Sequence, residues 1–378
     1  MRCAWALLLF SGCVVPLQLL GPPGPDAGPV DAGTALPLAA TLSVGFATTC
    51  VTSQAGALYC FGDNAFGQLG IGDTLQHGGP MFLDAGAIRW VSVAPGDRHT
   101  CALATNADAF CWGDNAEGAL GTGELAPHLS PVQVLGSNFR SLSLGDGYTC
   151  AVDAAGAIWC WGRNSEGQLG QTDATNPPGP SPTPLRVGTG QYRLVAAGQG
   201  HACGLGVDGG LECWGRNNEG QLGNGSPLGN VRGPTAVPNG PWVSVSATQG
   251  STCGIRADRT LWCWGEGPLV VSRTPVQIGA AADWTQVTVN EFHHCGRRGM
   301  DLYCWGRGIE GQLGLGDFNP RTAPTQVSGG WLSVAASRFH TCGIQAEGRL
   351  YCWGANDVDQ LGQADTLRRP TPTLVPLP

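Results

Sequence analysis

Fourteen of the sixteen cysteines fall into seven pairs: Cys50 with Cys60, Cys101 with Cys111, Cys150 with Cys160, Cys203 with Cys213, Cys253 with Cys263, Cys295 with Cys304, and Cys342 with Cys352. Six pairs enclose nine residues, and the pair Cys295 and Cys304 encloses eight. Thiols so spaced can form disulfides, lie buried as small apolar groups, or ligate metal. Zinc is the weakest option, because the pairs lack a short two-residue ligand spacing and each would need ligands from another unit. Directly opposed positions on an antiparallel hairpin bring Cα atoms to about 4.5 Å, within a disulfide's reach. The spacing therefore predicts seven disulfides, each stabilising by about 3 kcal/mol at most, with paired buried thiols as the alternative.

Two residues before each first cysteine stand Thr48, His99, Tyr148, His201, Ser251, His293 and His340. Four imidazoles at equivalent positions have the chemistry of a metal site. A residue that recurs in every unit is more simply one that hydrogen-bonds backbone within its own unit. That is the expectation, with neither metal nor cofactor. The turns just before these positions differ from copy to copy. They hold Phe46, Asp97, Arg98, Asp146, Tyr148, Gln199, Gln249, Glu291, Phe292, Arg338 and Phe339. Aromatics and arginines among acids fit a protein-binding face. Asp97, Asp146 and Glu291 would be the acid–base groups of an enzyme. No Ser-His-Asp, His-Glu-x-x-His or glycosidase phrase accompanies them, so no enzyme is expected.

All 20 basic residues are arginine. Without lysine, Schiff-base chemistry, a phosphate-loop lysine and a Ser-x-x-Lys nucleophile are excluded. A net charge of −8 and the lack of a basic tract argue against nucleic acid.

The elements that must position these groups are written as a repeat. First cysteines follow one another at 51, 49, 53, 50, 42 and 47 residues, and the same phrases surround each pair. One unit reads Trp90-Val-Ser-Val93, His99-Thr-Cys-Ala-Leu103, Phe110-Cys-Trp-Gly113, Asn115-x-x-Gly118 and Pro131-x-x-Val134. Later copies carry Gly167-Gln-Leu-Gly170, Gly220-Gln-Leu-Gly223 and Gly311-Gln-Leu-Gly314. The fifth keeps Cys263-Trp-Gly265 but lacks that loop. A chain of 378 residues with 60 Gly and 27 Pro is thus one large repeat domain of short strands and turns.

Nine residues between opposed cysteines divide as three, three and three. A three-residue hairpin loop ends in the left-handed conformation. The expected loops are Gln54-Ala-Gly56, Thr105-Asn-Ala107, Ala154-Ala-Gly156, Val207-Asp-Gly209, Ala257-Asp-Arg259 and Ala346-Glu-Gly348. In the eight-residue case a two-residue loop, Gly299-Met300, suits a type II′ turn. Trp112, Trp161, Trp214, Trp264, Trp305 and Trp353 recur once per unit and read as packing between units, not as sugar platforms. The strand-opening Trp90, Phe139, Tyr192, Trp242, Trp284 and Trp331 likewise read as core.

With His-Thr-Cys-Ala-Leu, Trp-Gly-x-Asn and Gly-Gln-Leu-Gly recurring in order over about 36–378, the chain resembles the regulator of chromosome condensation repeat family. The resemblance implies an all-β, seven-bladed propeller of four-stranded antiparallel blades. Thr371-Pro-Thr-Leu-Val375 copies a strand that elsewhere leads into a following unit, so the C-terminal strand is expected to pair into the N-terminal blade and close the ring. The family includes a nuclear nucleotide-exchange factor that binds chromatin and secreted propellers that inhibit β-lactamases. The expected function is the second kind: a monomer binding another protein through loops on one face. A carbohydrate-binding propeller is the alternative, and it requires exposed aromatics at equivalent positions.

Residues 1–20 read as an export segment, with Arg2 followed by the apolar Ala4–Phe10 and no second long apolar run. Ser11-Gly12-Cys13 is similar to a lipoprotein cleavage site. Lipidation of Cys13, giving a surface-tethered protein, and plain secretion are both open. Residues 21–35, rich in Gly, Pro and Asp, read as a linker to the propeller of 36–378.

Overall fold

A computed structural model describes residues 38–136, 138–172 and 179–378. The export segment, Cys13 and the expected linker of 21–35 lie outside them. Twenty-eight strands form seven four-stranded antiparallel sheets, and no helix occurs among the described residues. The blades span 39–82, 90–133, 139–187, 192–236, 242–277, 284–327 and 331–374.

In blade 2 the strands are Trp90–Pro95, His99–Ala104, Ala109–Gly113 and His128–Gln133. The first strand of each blade lies innermost, its end lining the central shaft. In blade 2 the second strand is buried along its whole length because blades stack on both of its faces. Its small and apolar residues are what such a site accepts. The fourth strand is the outer edge, and proline sits there in six blades (Pro131, Pro182, Pro234, Pro275, Pro324, Pro370). Proline removes a donor from an edge and blunts pairing with other chains.

The cysteine pairing is the one that the spacing predicts. Cys50 lies directly opposite Cys60, Cys101 opposite Cys111, Cys150 opposite Cys160, and Cys203 opposite Cys213. Cys253 faces Cys263, Cys295 faces Cys304, and Cys342 faces Cys352 in the same way. Their Cα atoms are 4.0–4.2 Å apart and every pair is bridged, so the alternative of free buried thiols falls away. The loop arithmetic also holds. The third loop residue has positive φ in all six cases, glycine or not, with Ala107 at 66° and Arg259 at 63°. In the exception Arg298 pairs Asp301, and Gly299 alone has positive φ, at 59°.

Ring closure differs from the strand exchange expected. Arg369–Leu374 pairs with Leu350–Gly354 inside blade 7, and blade 1 supplies its own four strands. The physical reason is that Ala39–Val44 is already a full innermost strand, so no position is vacant. The ends meet by packing: Val375 and Leu377, each 2% exposed, enter the core that joins blades 7 and 1. Ala39 N also donates to Gly348 O (2.9 Å).

Seven apolar clusters fill the seven seams between blades, and a polar hub recurs in them. In the seam of blades 4 and 5, His201 Nε2 meets Thr252 Oγ1 at 2.8 Å, and Thr252 Oγ1 donates to Gln221 O at 2.9 Å. Trp264 Nε1 donates to the same carbonyl at 2.9 Å. Because the threonine proton is committed to the carbonyl, the histidine must donate from Nε2 and is the neutral tautomer. His99–Thr149, His293–Thr341 and His340–Thr49 repeat the contact at 2.7–2.8 Å. For the four histidines the expectation of bonds within each residue's own unit is therefore corrected, since these side chains tie one blade to the next, whereas Thr48 Oγ1 donates to Asp63 O of its own blade (3.3 Å). The histidines lie apart from one another in separate seams rather than converging on the shaft.

Close approach fixes glycine at the inner turns. A Cβ on Gly198 would lie 2.2 Å from Thr248 O of the next blade, and one on Gly215 would lie 2.5 Å from Gly200 O. Gly198→Ala is expected to destabilise the ring by about 2 kcal/mol or more. A lowered denaturant midpoint with unchanged slope is the measurement, and an unchanged midpoint would refute the tight approach.

Candidate recognition face

The inner turns all share one form. The residue before each turn donates its N–H to the carbonyl three residues on, as in Gly45 to Thr48 (2.7 Å) and Ser337 to His340 (2.9 Å). Two residues are thereby presented at the same end of the shaft in every blade. The first positions are Phe46, Asp97, Asp146, Gln199, Gln249, Glu291 and Arg338. The second are Ala47, Arg98, Gly147, Gly200, Gly250, Phe292 and Phe339. All the first positions except Gln249 border the shaft mouth. Bulk at the second position is confined to blades 2, 6 and 7, whereas blades 3 to 5 carry glycine.

Tyr148 is the correction to this set. It is fully buried in the seam of blades 3 and 4, and its hydroxyl donates to backbone carbonyls at His201 (2.6 Å) and Gly198 (2.9 Å). That seam has Ala202 where five others have threonine, and the longer phenol reaches the backbone instead.

The remaining residues are brought together unevenly. Arg338 is ion-paired with Glu291, Nε to Oε2 at 2.9 Å. Its guanidinium also sits 5.1–5.3 Å from the ring centroids of Phe46, Phe292 and Phe339. The rings pack on each other, Phe46–Phe339 at 6.0 Å and Phe292–Phe339 at 5.7 Å. Arg307 also stacks on Phe292, at 4.7 Å. A cation held among aromatic faces is a rigid, half-desolvated patch.

Asp146 is paired with Arg163 at 2.7 Å. Asp97, beside Arg98, has its carboxyl raised by burial first and by the neighbouring Asp146 second. All three carboxylates offered as an acid–base set thus have an arginine partner, Asp97 the most distant at 4.0 Å. The shaft wall contains small residues, among them Ser43, Ser143, Ser246 and Ala336. Ser143 and Ser246 Oγ accept N–H bonds from Ala197 (2.9 Å) and Val289 (3.2 Å) of the next blade.

Beside this patch lies a groove of about 510 Å³ bordered by Glu219, Glu266, Pro268, Glu291, Phe292 and Arg307. It exists because blade 5 lacks the Gly-Gln-Leu-Gly loop. Elsewhere that loop packs its first glycine on the next blade's outer strand, as Gly118 does on Pro182 and Gly220 on Arg273. Here the corresponding Arg321 and Thr322 of blade 6 are uncovered. Of these groove residues the sequence singles out Glu291 and Phe292, but not Glu219, Glu266, Pro268 or Arg307, nor Arg163 beside Asp146. The signal is present in the residue after each Trp-Gly or Phe-Gly, which varies as Asp63, Asp114, Arg163, Arg216, Glu266, Arg307 and Ala355.

The six recurring tryptophans are fully buried, as their once-per-unit recurrence predicted. The exposed aromatics Phe66, Phe82 and Phe318 stand at non-equivalent positions. No helix among the described residues is long and apolar enough to cross a membrane.

Comparison with known proteins agrees with this architecture. A solved structure of human WBSCR16 superposes with a TM-score of 0.73 at 19% identity, covering 88% of this chain and 94% of that one. Prp20p from Saccharomyces cerevisiae superposes with a TM-score of 0.69 at 20% identity, covering 79% and 80%. At these identities the likeness is one of fold. By sequence, the ultraviolet-B receptor UVR8 of Arabidopsis thaliana is 38% identical over 94 residues, 25% of this chain and 21% of the receptor. The X-linked retinitis pigmentosa GTPase regulator of Canis lupus familiaris is 34% identical over 90 residues, 23% of this chain and 9% of the regulator. The matched segments thus span about a fifth or less of these relatives. Profiles of the repeat itself match 55–103, 106–152, 155–205, 208–255, 301–344 and 347–378, and a second profile matches four of the same units. Matched over most of its length, the chain belongs to the regulator of chromosome condensation (RCC1) repeat family.

Proposed function

We propose that this propeller is an exported binding module that recognises another protein through the end of the shaft where the inner turns converge. The observation that carries the reading is the cluster of Arg338 among Phe46, Phe292 and Phe339, continuous through Glu291 with the groove between blades 5 and 6. Arginine and aromatic anchors beside a pocket are what protein hot spots are made of. The residues are held by a disulfide-bridged ring, so little loop entropy is lost on binding. The fold relative Prp20p is itself described through its binding to Gsp1p and histones, and a protein as partner is the feature carried over. Export is supported by the apolar segment at 1–20 and by seven bridged cysteine pairs, which an oxidising compartment maintains. A lipid on Cys13 would tether the ring to a surface.

The test is capture of secreted and cell-envelope proteins on the purified ring, repeated with the double variant Phe292→Ala and Phe339→Ala and with Arg338→Ala. Retention should fall by more than about tenfold for a hot-spot cluster, while the thermal midpoint stays near that of the parent ring. A partner retained equally by all three proteins would place recognition elsewhere.

A further inference from the structure

The seam of blades 5 and 6 is the one in which histidine stands at the second hub position. Its hub is reversed, with Ser251 where four blades have histidine and His294 where five have threonine. His294 Nε2 lies 3.4 Å from Ser251 Oγ, and its Nδ1 lies 3.7 Å from Cys253 Sγ. In two other seams the group facing a bridge sulfur is a hydroxyl, Thr149 Oγ1 at 3.9 Å from Cys101 and Thr49 Oγ1 at 3.8 Å from Cys342. The missing loop also takes away the carbonyl that tryptophan uses elsewhere, so the fully buried Trp305 Nε1 has no acceptor. A narrow cavity bordered by Ser251, Cys263, Leu269, His294 and Trp305 opens there. Cys263 is 3% exposed, whereas the other thirteen bridged cysteines are at 0%.

We infer that Cys253, Cys263 and His294 form a redox-gated site for a thiophilic divalent cation of the zinc class. The three ligand atoms lie within 4.8 Å of one another. In a tetrahedral zinc site, bonds of about 2.3 Å to sulfur and 2.0 Å to nitrogen set ligand separations of about 3.5–3.8 Å. The His294–Cys253 distance already falls in that range. A dithiol reductant converts the bridge to two thiols, transferring two electrons and two protons while itself becoming a disulfide. The cation then displaces the two thiol protons. Two thiolates and a neutral imidazole around a divalent ion carry no net charge, which suits a dry seam. Ser251 at Nε2 orients the ring as an outer-shell partner does. Three protein ligands leave the fourth position of a tetrahedral site to an exogenous ligand.

Full-length protein is reduced stepwise without oxygen, and reduced cysteines are mapped by alkylation and mass spectrometry. The bridge between Cys253 and Cys263 should open before the other six. Cobalt(II), used as the spectroscopic probe, should then bind once per chain with thiolate-to-cobalt absorption, and zinc should protect those two thiols from alkylation. His294→Thr, which restores the residue of five other seams, should keep the fold and weaken cobalt binding by more than about tenfold. The inference is overturned if His294→Thr binds equally well. It is also overturned if protection spreads evenly over other reduced pairs, or if this pair opens only when the ring unfolds.

Discussion

Trp214→Phe should destabilise the ring more than the same change at any other hub tryptophan, and Trp305→Phe should destabilise it least. Four hubs share one arrangement, in which a loop carbonyl accepts both from a tryptophan and from a threonine. Trp112 and Thr100 meet at Gln68 O (2.9 and 2.8 Å), and Trp353 and Thr341 meet at Gln312 O (3.0 and 2.8 Å). Trp161 and Trp264 sit in equivalent pairs. Replacing any of these four indoles by phenyl removes one hydrogen bond and part of a buried ring, and should cost about 2–3 kcal/mol. The carbonyl keeps its threonine.

Gln168 O is different. Trp214 Nε1 donates to it at 2.9 Å, but the threonine position is Ala202. Trp214→Phe therefore leaves a buried carbonyl with no donor, adding about 1–2 kcal/mol. Trp305 Nε1 has no acceptor to lose, so its replacement should cost about 1 kcal/mol less than the common value. Blade 1 carries Phe61 at this position, and there Gln360 O is satisfied by Thr49 alone (2.9 Å). Denaturant midpoints for the six variants measure the order. Six equal losses would show that ring volume alone decides the cost.

These hubs mark the limit of what the residues disclose unaided. Cysteine spacing encodes strand register because opposition along one hairpin is local arithmetic: Cys295 and Cys304 stay opposed although their loop is one residue shorter. The positive φ at Ala107 and Arg259 shows that the arithmetic outranks residue preference. The His-Thr contact joins residues about fifty positions apart. Within one unit nothing states that the histidine column of a blade faces the threonine column of the next. The trace is visible only between successive units: Tyr148 is followed by Ala202, and Ser251 by His294. Ring closure is hidden for a similar reason. The Pro-x-x-Val phrase marks an outer edge strand, and the chain itself does not say whether that edge stays in its own blade. The face turns are legible as positions of difference, but the gathering of Phe46, Phe292 and Phe339 around Arg338 depends on blades 1, 6 and 7 being neighbours around a closed ring.

The same hubs set the response to acid, and stability should fall steeply as pH drops from about 6.5 toward 4. Burial lowers His99 from 6.5 to about 4. It lowers His201, His293, His294 and His340 to about 3. The tautomer explains why these rings resist protonation: Nε2 already donates to threonine in four of them, and Nδ1 of His201 and His293 faces no partner that a second proton would satisfy. In the unfolded chain all five take up a proton near the ordinary value. The unfolded state therefore binds more protons between the two values, and the folded state is favoured less as pH falls through that window. Each histidine contributes about 1.4 kcal/mol per pH unit, so five give a slope near 7 kcal/mol per unit once pH is well below 6. Carboxylates lowered by partners, such as Asp317 beside Arg321 and Asp283 beside Arg298, add their loss only below about pH 4. Unfolding free energies measured from pH 7 to 4.5 with the bridges intact should give the slope, and His293→Gln should reduce it by one histidine's share. A flat profile across that range would mean that the seams admit the proton, and that the wheel is held together by its sulfur bridges and aromatic packing without help from the imidazoles.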